Sequence, residues 1–238
     1  MQKILSLTLI IFISNYCFSQ TVEILRKSEK IQLSKGNDFA FLETKTDTSK
    51  LEFVATIKAT GINSKTNLSS LYFTILENAK AIGANSFKLN SYLQNDSSKI
   101  YSLILDTYFG VDSLLDLNFD NHEKNMFFIF GDEKIDGTDT YSFKIDGVKK
   151  KIKSGTYYKQ ELKEGKEVKI NKGGITGMTI WLNWKPKRQS AFFNFTGFGL
   201  GGGSVPVGVV GASFNTGRIS NIDGNLGSLL TQILKISE

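Results

Sequence analysis

Cysteine is almost missing from this chain. Its one example, Cys17, lies in an N-terminal stretch that reads as a removable leader. A mature chain without cysteine has no disulfide and no thiol nucleophile, although export normally permits disulfides. Stability must then come from the packed core. Histidine is equally scarce: His122, within FDNHEKN, is the sole example. A serine triad needs a histidine as its base, and no nucleophile-elbow motif lies near this one. His122 is expected to be exposed and without a functional part. One histidine and no mature cysteine leave only carboxylates to complete a zinc site. The glycine-rich run 197–203 lacks the following Lys-Ser/Thr and the strand-helix setting of a phosphate loop. No cofactor motif is present.

Acidic clusters offer little more. Asp116-x-Asn118-x-Asp120 has the alternating start of a calcium loop. It lacks the glycine after Asp120 and the bidentate glutamate beyond. Asp132, Glu133, Asp136 and Asp139 form a second cluster without loop spacing. Both are expected to be solvated turns. A carboxylate pair for glycoside hydrolysis depends on a separation that sequence does not reveal.

Long apolar runs are also few. Lys3 followed by the apolar core 4–13 and a short polar end at 14–20 has the form of a secretory signal peptide, with cleavage expected near Ser19 or Gln20. The core is too short for a membrane-spanning helix of about 20 residues. Ser14-Asn15-Tyr16 before Cys17 is not a lipoprotein box, so a soluble exported protein is expected, in the periplasm or the medium. Association with the outer membrane is the alternative. Its carriers would be the uncharged run 189–217, with GxxxG spacings at Gly197/Gly201 and Gly199/Gly203, and a terminal helix. Pro206 and the many glycines argue against a helix in that run.

What is plentiful is periodic pattern and positive charge. The clearest helix lies within 68–87. Leu68, Leu71, Tyr72, Ile75, Ala79 and Ile82 fall at gaps of three and four, which sets them on one face. Asn67, Ser69 and Ser70 supply N-cap oxygens, and Gly83 suits the left-handed residue that ends a helix. Strands are expected at 51–59, 86–93 and 100–109, giving a β-α-β-β unit. Earlier short strands are expected around Ile24-Leu25, Ile31-Leu33 and Phe39 to Leu42, with a loop at 45–50. Residues 111–125 read as a linker with one helical turn.

From Met126 the period changes to two. Strands are expected at 127–130, around Tyr141, Phe143 and Ile145, and at 148–153. Others follow at 156–162 and 166–170, through Met178, Ile180, Leu182 and Trp184, and at 190–195. Turns at Asp146-Gly147, Ser154-Gly155 and Glu164-Gly165 separate several of them, the rhythm of a small antiparallel β-sandwich. Residues 225–236 carry Leu226, Leu229, Leu230, Ile233 and Leu234, a short amphipathic helix expected to cap the core. The fold class is therefore α+β. The expected divisions are a signal peptide at 1–20, an α/β domain at 21–110, a linker at 111–125, a β-sandwich at 126–196, and a Gly-rich segment with a C-terminal helix at 197–238.

The formal charge is +6, one less without Lys3. Ten lysines and four acids lie between Lys144 and Lys172. A two-residue Asp146-Gly147 loop places Lys144 opposite Lys149 and Ser142 opposite Lys151. The return strand turns Lys149, Lys151 and Lys153 to one face and Val148, Lys150 and Ile152 to the other. Like charges directly opposite destabilise a hairpin. An edge strand guarded by lysines against aggregation accounts for that arrangement. So does a site at Lys144, Lys149, Lys151 and Lys153 for an anionic partner. For an exported chain that partner is an acidic envelope polymer or lipid rather than nucleic acid; another envelope protein is the further alternative.

The stretch LENAKAIGANSFKL, with its Gly83-Ala84-Asn85 turn between helix and strand, resembles small bacterial envelope domains. These include the outer-membrane lipoprotein of the Rcs pathway and heavy-metal-binding families. The resemblance covers about forty residues. No lipidated cysteine, disulfide pair or metal-ligand cluster accompanies it, so neither stress sensing nor metal binding carries over. FKIDG, SGTYY and LKEG look like the small β-sandwich modules of exported proteins. Both resemblances imply an exported envelope protein that binds or supports rather than catalyses. The alternatives are a membrane-associated protein and a carboxylate-dependent hydrolase.

Overall fold

The computed structural model describes residues 20–29, 39–62, 67–95, 97, 100–133, 137–173, 177–196 and 217–237. The expected leader up to residue 19, the strand expected at Ile31-Leu33 and the glycine-rich run 197–216 lie outside these residues. The chain divides into two units at Asn118/Phe119.

The first unit is one sheet with a helix against it. Strands β1 (Gln20–Lys27), β2 (Ala40–Phe41), β3 (Glu52–Ile62), β4 (Ser86–Asn95) and β5 (Ile100–Phe109) lie in the order β1-β3-β5-β4-β2. All neighbours are antiparallel except β2 and β4. Thr48–Lys50, expected as loop, forms a short 3₁₀ turn.

Helix α1 (Leu68–Ala81) buries Leu68, Leu71, Tyr72, Ile75 and Ala79 and lies against β3 and β5. Ile82, expected on the same face, is the C-cap and is half-buried. At the N-terminus Asn67 Oδ1 accepts from the Ser70 N–H at 2.8 Å, and Ser70 Oγ accepts from the Asn67 N–H at 3.3 Å. This reciprocal pair satisfies two otherwise orphaned donors. At the other end Gly83 adopts φ 93°, the Gly83 N–H donates to Lys80 O and the Ala84 N–H to Ala79 O. That Schellman arrangement stops the helix and aims the chain into β4.

Phe87, fully buried, is the hub of this core. Its ring stacks on Phe39 at 4.6 Å and meets the Phe41 edge at 5.7 Å and Tyr72 at 5.4 Å. Two asparagines secure the connections. Asn85 Nδ2 donates to Gly110 O at 2.7 Å while its Oδ1 accepts from the Gly110 N–H at 2.9 Å, so one side chain substitutes for a strand partner. Asn118, 1% exposed, donates to Phe41 O and accepts from the Glu43 N–H and the Thr46 hydroxyl.

Residues 111–125, expected as a linker with one helical turn, contain a ten-residue helix, α2 (Asp112–Asn121). Its weak apolar periodicity hid it. Only Leu115 and Asn118 are buried, and a polar residue carries half of the anchoring.

The second unit is a sandwich with a helix added. Strands β7 (Thr140–Ile145), β8 (Val148–Lys153), β10 (Glu167–Lys172) and β11 (Met178–Asn183) form an antiparallel sheet in the order β11-β10-β7-β8. Strands β6 (Met126–Phe130), β9 (Thr156–Glu161), β12 (Ala191–Thr196), β13 (Arg218–Asn221) and β14 (Lys235–Ile236) form the other, in the order β13-β12-β6-β9-β14. This second sheet is mixed: β12 runs parallel to β6 and β14 parallel to β9. Those pairings join residues far apart in sequence, which no local turn signal marks.

Phe127, Ile129, Phe143, Ile145, Ile152, Val168, Ile170, Leu182, Phe193 and Phe195 fill the space between the two sheets. The opposite face of the five-stranded sheet is also covered. Phe128, Phe130 and Phe192 lie there as near-parallel rings, and helix α3 (Gly224–Ile233) packs over Phe192 at Gly227, where a methyl group would stand 2.8 Å from Phe192 Cβ. Leu226, Leu229, Leu230 and Leu234 are buried, so the expected capping helix is present; it ends at Ile233, and Lys235–Ile236 is strand. Burial on both faces explains why β6 reads as an unbroken apolar run.

Replacing Asn85 with Ala leaves the buried Gly110 N–H and C=O without partners. The first unit should lose about 3 kcal/mol, read as a lowered urea midpoint. In the second unit, burial above all holds the Tyr141, Tyr157 and Tyr158 hydroxyls above the ordinary tyrosine value of 10.0, with Asp132 and Asp139 adding to the effect at Tyr141 and Glu123 at Tyr157. A value raised by folding stabilises below the unfolded pKa and is lost as pH passes the folded one. Burial moves Lys172 downwards, which acts in the opposite sense. The urea midpoint should therefore hold up to about pH 10 and fall beyond it as the three phenols ionise. Loss of stability well below that pH would contradict this assignment.

Candidate functional site

The outer face of the four-stranded sheet is the one place where the expected site residues meet. Its geometry starts at the β7–β8 turn. Asp146 has φ 50° and Gly147 φ 82°, the two positive values of a type I′ loop. Ile145 then pairs with Val148, Lys144 with Lys149 and Ser142 with Lys151, as the turn chemistry predicts. In such a hairpin Ile145 and Val148 exchange hydrogen bonds. The outward pairs Lys144/Lys149 and Ser142/Lys151 are thus of the closer, non-hydrogen-bonded kind.

Asp146 does more than turn the chain. Its backbone N–H donates to Lys169 O at 2.9 Å, and its Oδ1 accepts from the Lys169 N–H at 2.8 Å. The turn is thereby fastened to β10. Further along, Asn171 pairs with Lys144. These contacts align β8, β7 and β10 so that their outward residues form one surface.

On that surface Lys144, Lys149, Lys151 and Lys153 are all exposed. Among the described residues none of the four ammonium groups is engaged in an ion pair or a hydrogen bond. β8 is an edge strand. Its other set of side chains is less uniform than alternation suggests. Ile152 is buried, while Val148 is 60% exposed and Lys150 extends toward the Tyr158 ring at 6.0 Å, because β8 is the outermost strand and its inner side is only partly covered.

Two further residues belong to the same face. Lys169 on β10 points outward, directly paired with Trp181 on β11. Trp181 is 56% exposed, and the Lys169 ammonium lies 5.9 Å from its ring centroid. Beside them the Asn171 amide donates to Thr179 Oγ1 at 2.8 Å. The signal for Trp181 was present in the sequence. If Met178, Ile180 and Leu182 face inward, Thr179, Trp181 and Asn183 face outward. What the sequence did not show was that β11 and β10 share the sheet of the lysine hairpin.

The other candidates do not assemble. Asp116, Asn118 and Asp120 lie along helix α2, with Asn118 turned inward and its amide occupied, so the calcium-loop start is helix rather than the expected solvated turn. Asp132 accepts from the Tyr141 hydroxyl at 3.4 Å, and Asp136 lies outside the described residues. His122 is half-buried, with its ring 5.5 Å from that of Phe119, rather than exposed. Among the described residues no three His, Cys, Asp or Glu side chains gather as a metal site. No described helix is long and apolar enough to cross a membrane.

Replacing Asp146 with Ala removes the acceptor for the Lys169 N–H and places an alanine at positive φ. The expected cost is about 2 kcal/mol. Asp146→Asn keeps both the acceptor and the tolerance of positive φ and should be near neutral. Thermal melts of the two variants check this; equal losses would show that the side-chain bond to β10 contributes nothing. Comparison with protein-family models, with curated protein sequences and with solved structures found no match for this chain.

Proposed function

We propose that this is an exported envelope protein without catalytic activity whose four-stranded sheet binds an anionic polymer through its outer face. One observation carries the reading. Guarding an edge against aggregation requires charge on the edge strand alone. Here Lys149, Lys151 and Lys153 occupy the edge strand β8, but Lys144 and Lys169 stand on the interior strands β7 and β10. Edge protection gives no reason for cations there. Glu167 is the one acid among the outward strand positions. Mutual repulsion of Lys144 and Lys149 is a standing cost of this arrangement, and a polyanion lying across the face would offset it.

Export rests on the leader pattern at residues 1–20, and the lysine face then selects among partners found outside the cytoplasm. The membrane-associated alternative loses one support. The apolar side of α3 is turned into the protein, with Leu226, Leu229 and Leu230 buried, and offers nothing to a bilayer.

The triple variant Lys149→Gln, Lys151→Gln, Lys153→Gln tests the reading. All three side chains are exposed, so folding should be unaffected. Binding to an immobilised acidic polysaccharide at low salt should fall at least about tenfold, and the wild-type affinity should itself drop steeply with added salt. Wild-type binding that is absent, or that the triple variant retains in full, would remove the proposal. Fractionation of the host, with a tag after Glu238, tests export separately.

A further inference from the structure

The same face carries a feature that charge does not explain, and from it we infer the class of polymer. We propose that the ligand is an acidic polysaccharide, with Trp181 as the platform on which a sugar ring stacks and the lysines as partners of its acid groups. This rests on the reading of the lysine face given above.

Trp181 stands outward on β11, more than half exposed, among polar neighbours: Lys169 across the ladder, with Thr179 and Asn183 on its own strand. A single flat ring amid donors and acceptors is poorly suited to entering a bilayer, which rewards contiguous apolar surface. It is well suited to the apolar C–H face of a pyranose. The sugar hydroxyls would meet the Thr179 hydroxyl, which accepts from Asn171 and can still donate, and the Asn183 side-chain oxygen, its amide nitrogen being turned to Glu167 at 3.4 Å. Lys169, whose ammonium lies over the indole ring 5.9 Å from its centroid, places a cation at the platform itself. An acid group on the stacked sugar or its neighbour would be met there.

The spread of charge favours a polymer over a small anion. Trp181 lies on one edge strand and Lys149 on the other, three strand spacings away, or about 14 Å. Lys149 to Lys153 runs a further four residues along β8, about 13 Å. Lys169 and Lys144 lie on the two strands between. A single phosphate or carboxylate reaches one or two of these positions. A chain that repeats its acid group can engage all of them in turn, beginning from the stacked ring.

The experiment uses the full chain, polygalacturonate as an acidic polysaccharide, linear polyphosphate as a sugar-free polyanion, and vesicles of phosphatidylglycerol and phosphatidylcholine in equal parts. Binding is read by titration and by tryptophan fluorescence. Wild type should bind polygalacturonate in preference to polyphosphate, with a change in fluorescence. Trp181→Ala should lose about tenfold in affinity for polygalacturonate and lose the fluorescence change, although Trp184 remains. Its binding to polyphosphate should not move. Trp181→Phe, which keeps a flat ring, should recover most of the loss and controls for any effect on folding. Unchanged affinity of Trp181→Ala for polygalacturonate overturns the stacking role while leaving the anionic face in place. Vesicle binding that exceeds polygalacturonate binding overturns the choice of polysaccharide in favour of lipid. Absence of binding to all three probes overturns both this inference and the reading on which it rests.

Discussion

The arrangement of the candidate face depends on one residue, Asp146, and the two hydrogen bonds it exchanges with Lys169. A type I′ loop admits only residues that tolerate positive φ, and Asp-Gly provides both. Once the loop is closed, a register slip of one residue would turn Ile152 to solvent and the lysines into the core. The loop alone would settle only a hairpin. Fastening Asp146 to β10 brings Asn171 beside Lys144, and β10 in turn brings Trp181 beside Lys169. A short polar side chain thus transmits the register of one turn across four strands.

The same device recurs elsewhere. Asn85 completes the backbone of Gly110, and Asn118 that of Phe41 and Glu43. In the second unit Asn125 donates to Lys185 O and accepts from the Lys185 N–H. Each amide carries a donor and an acceptor at the spacing of a peptide group, so it can take the place of a missing strand. In a chain with a single cysteine, which can form no internal disulfide, these amides hold connections that a cystine would otherwise tie. The Gly83-Ala84-Asn85 turn is a case in point. Gly83 ends the helix, Ala84 is buried and Asn85 clamps Gly110, so all three residues have structural work.

The aromatic core separates the duties of the two sheets. The five-stranded sheet is buried on both faces, by the sandwich core on one side and by α3 on the other. The four-stranded sheet is buried on one face only. Among the described residues of the second unit that leaves one exposed sheet face, and the lysines and Trp181 occupy it.

Local pattern was enough to determine helix α1 with its caps, strands β3, β4 and β5 of the first unit, the Asp146-Gly147 loop and the pairing of Lys144 with Lys149. In each, the information lies within a few residues of the element, in period, cap or turn chemistry. Helix α2 escaped because its anchoring passes through Asn118 to residues more than seventy positions earlier. The parallel pairings of β12 with β6 and β14 with β9 escaped for the same reason. The candidate site shows the division most clearly. Sequence alternation sets Lys149, Lys151 and Lys153 on one side of β8 and Trp181 on one side of β11. Only the strand order, decided by how the apolar faces of distant segments pack, determines that these sides are the same surface.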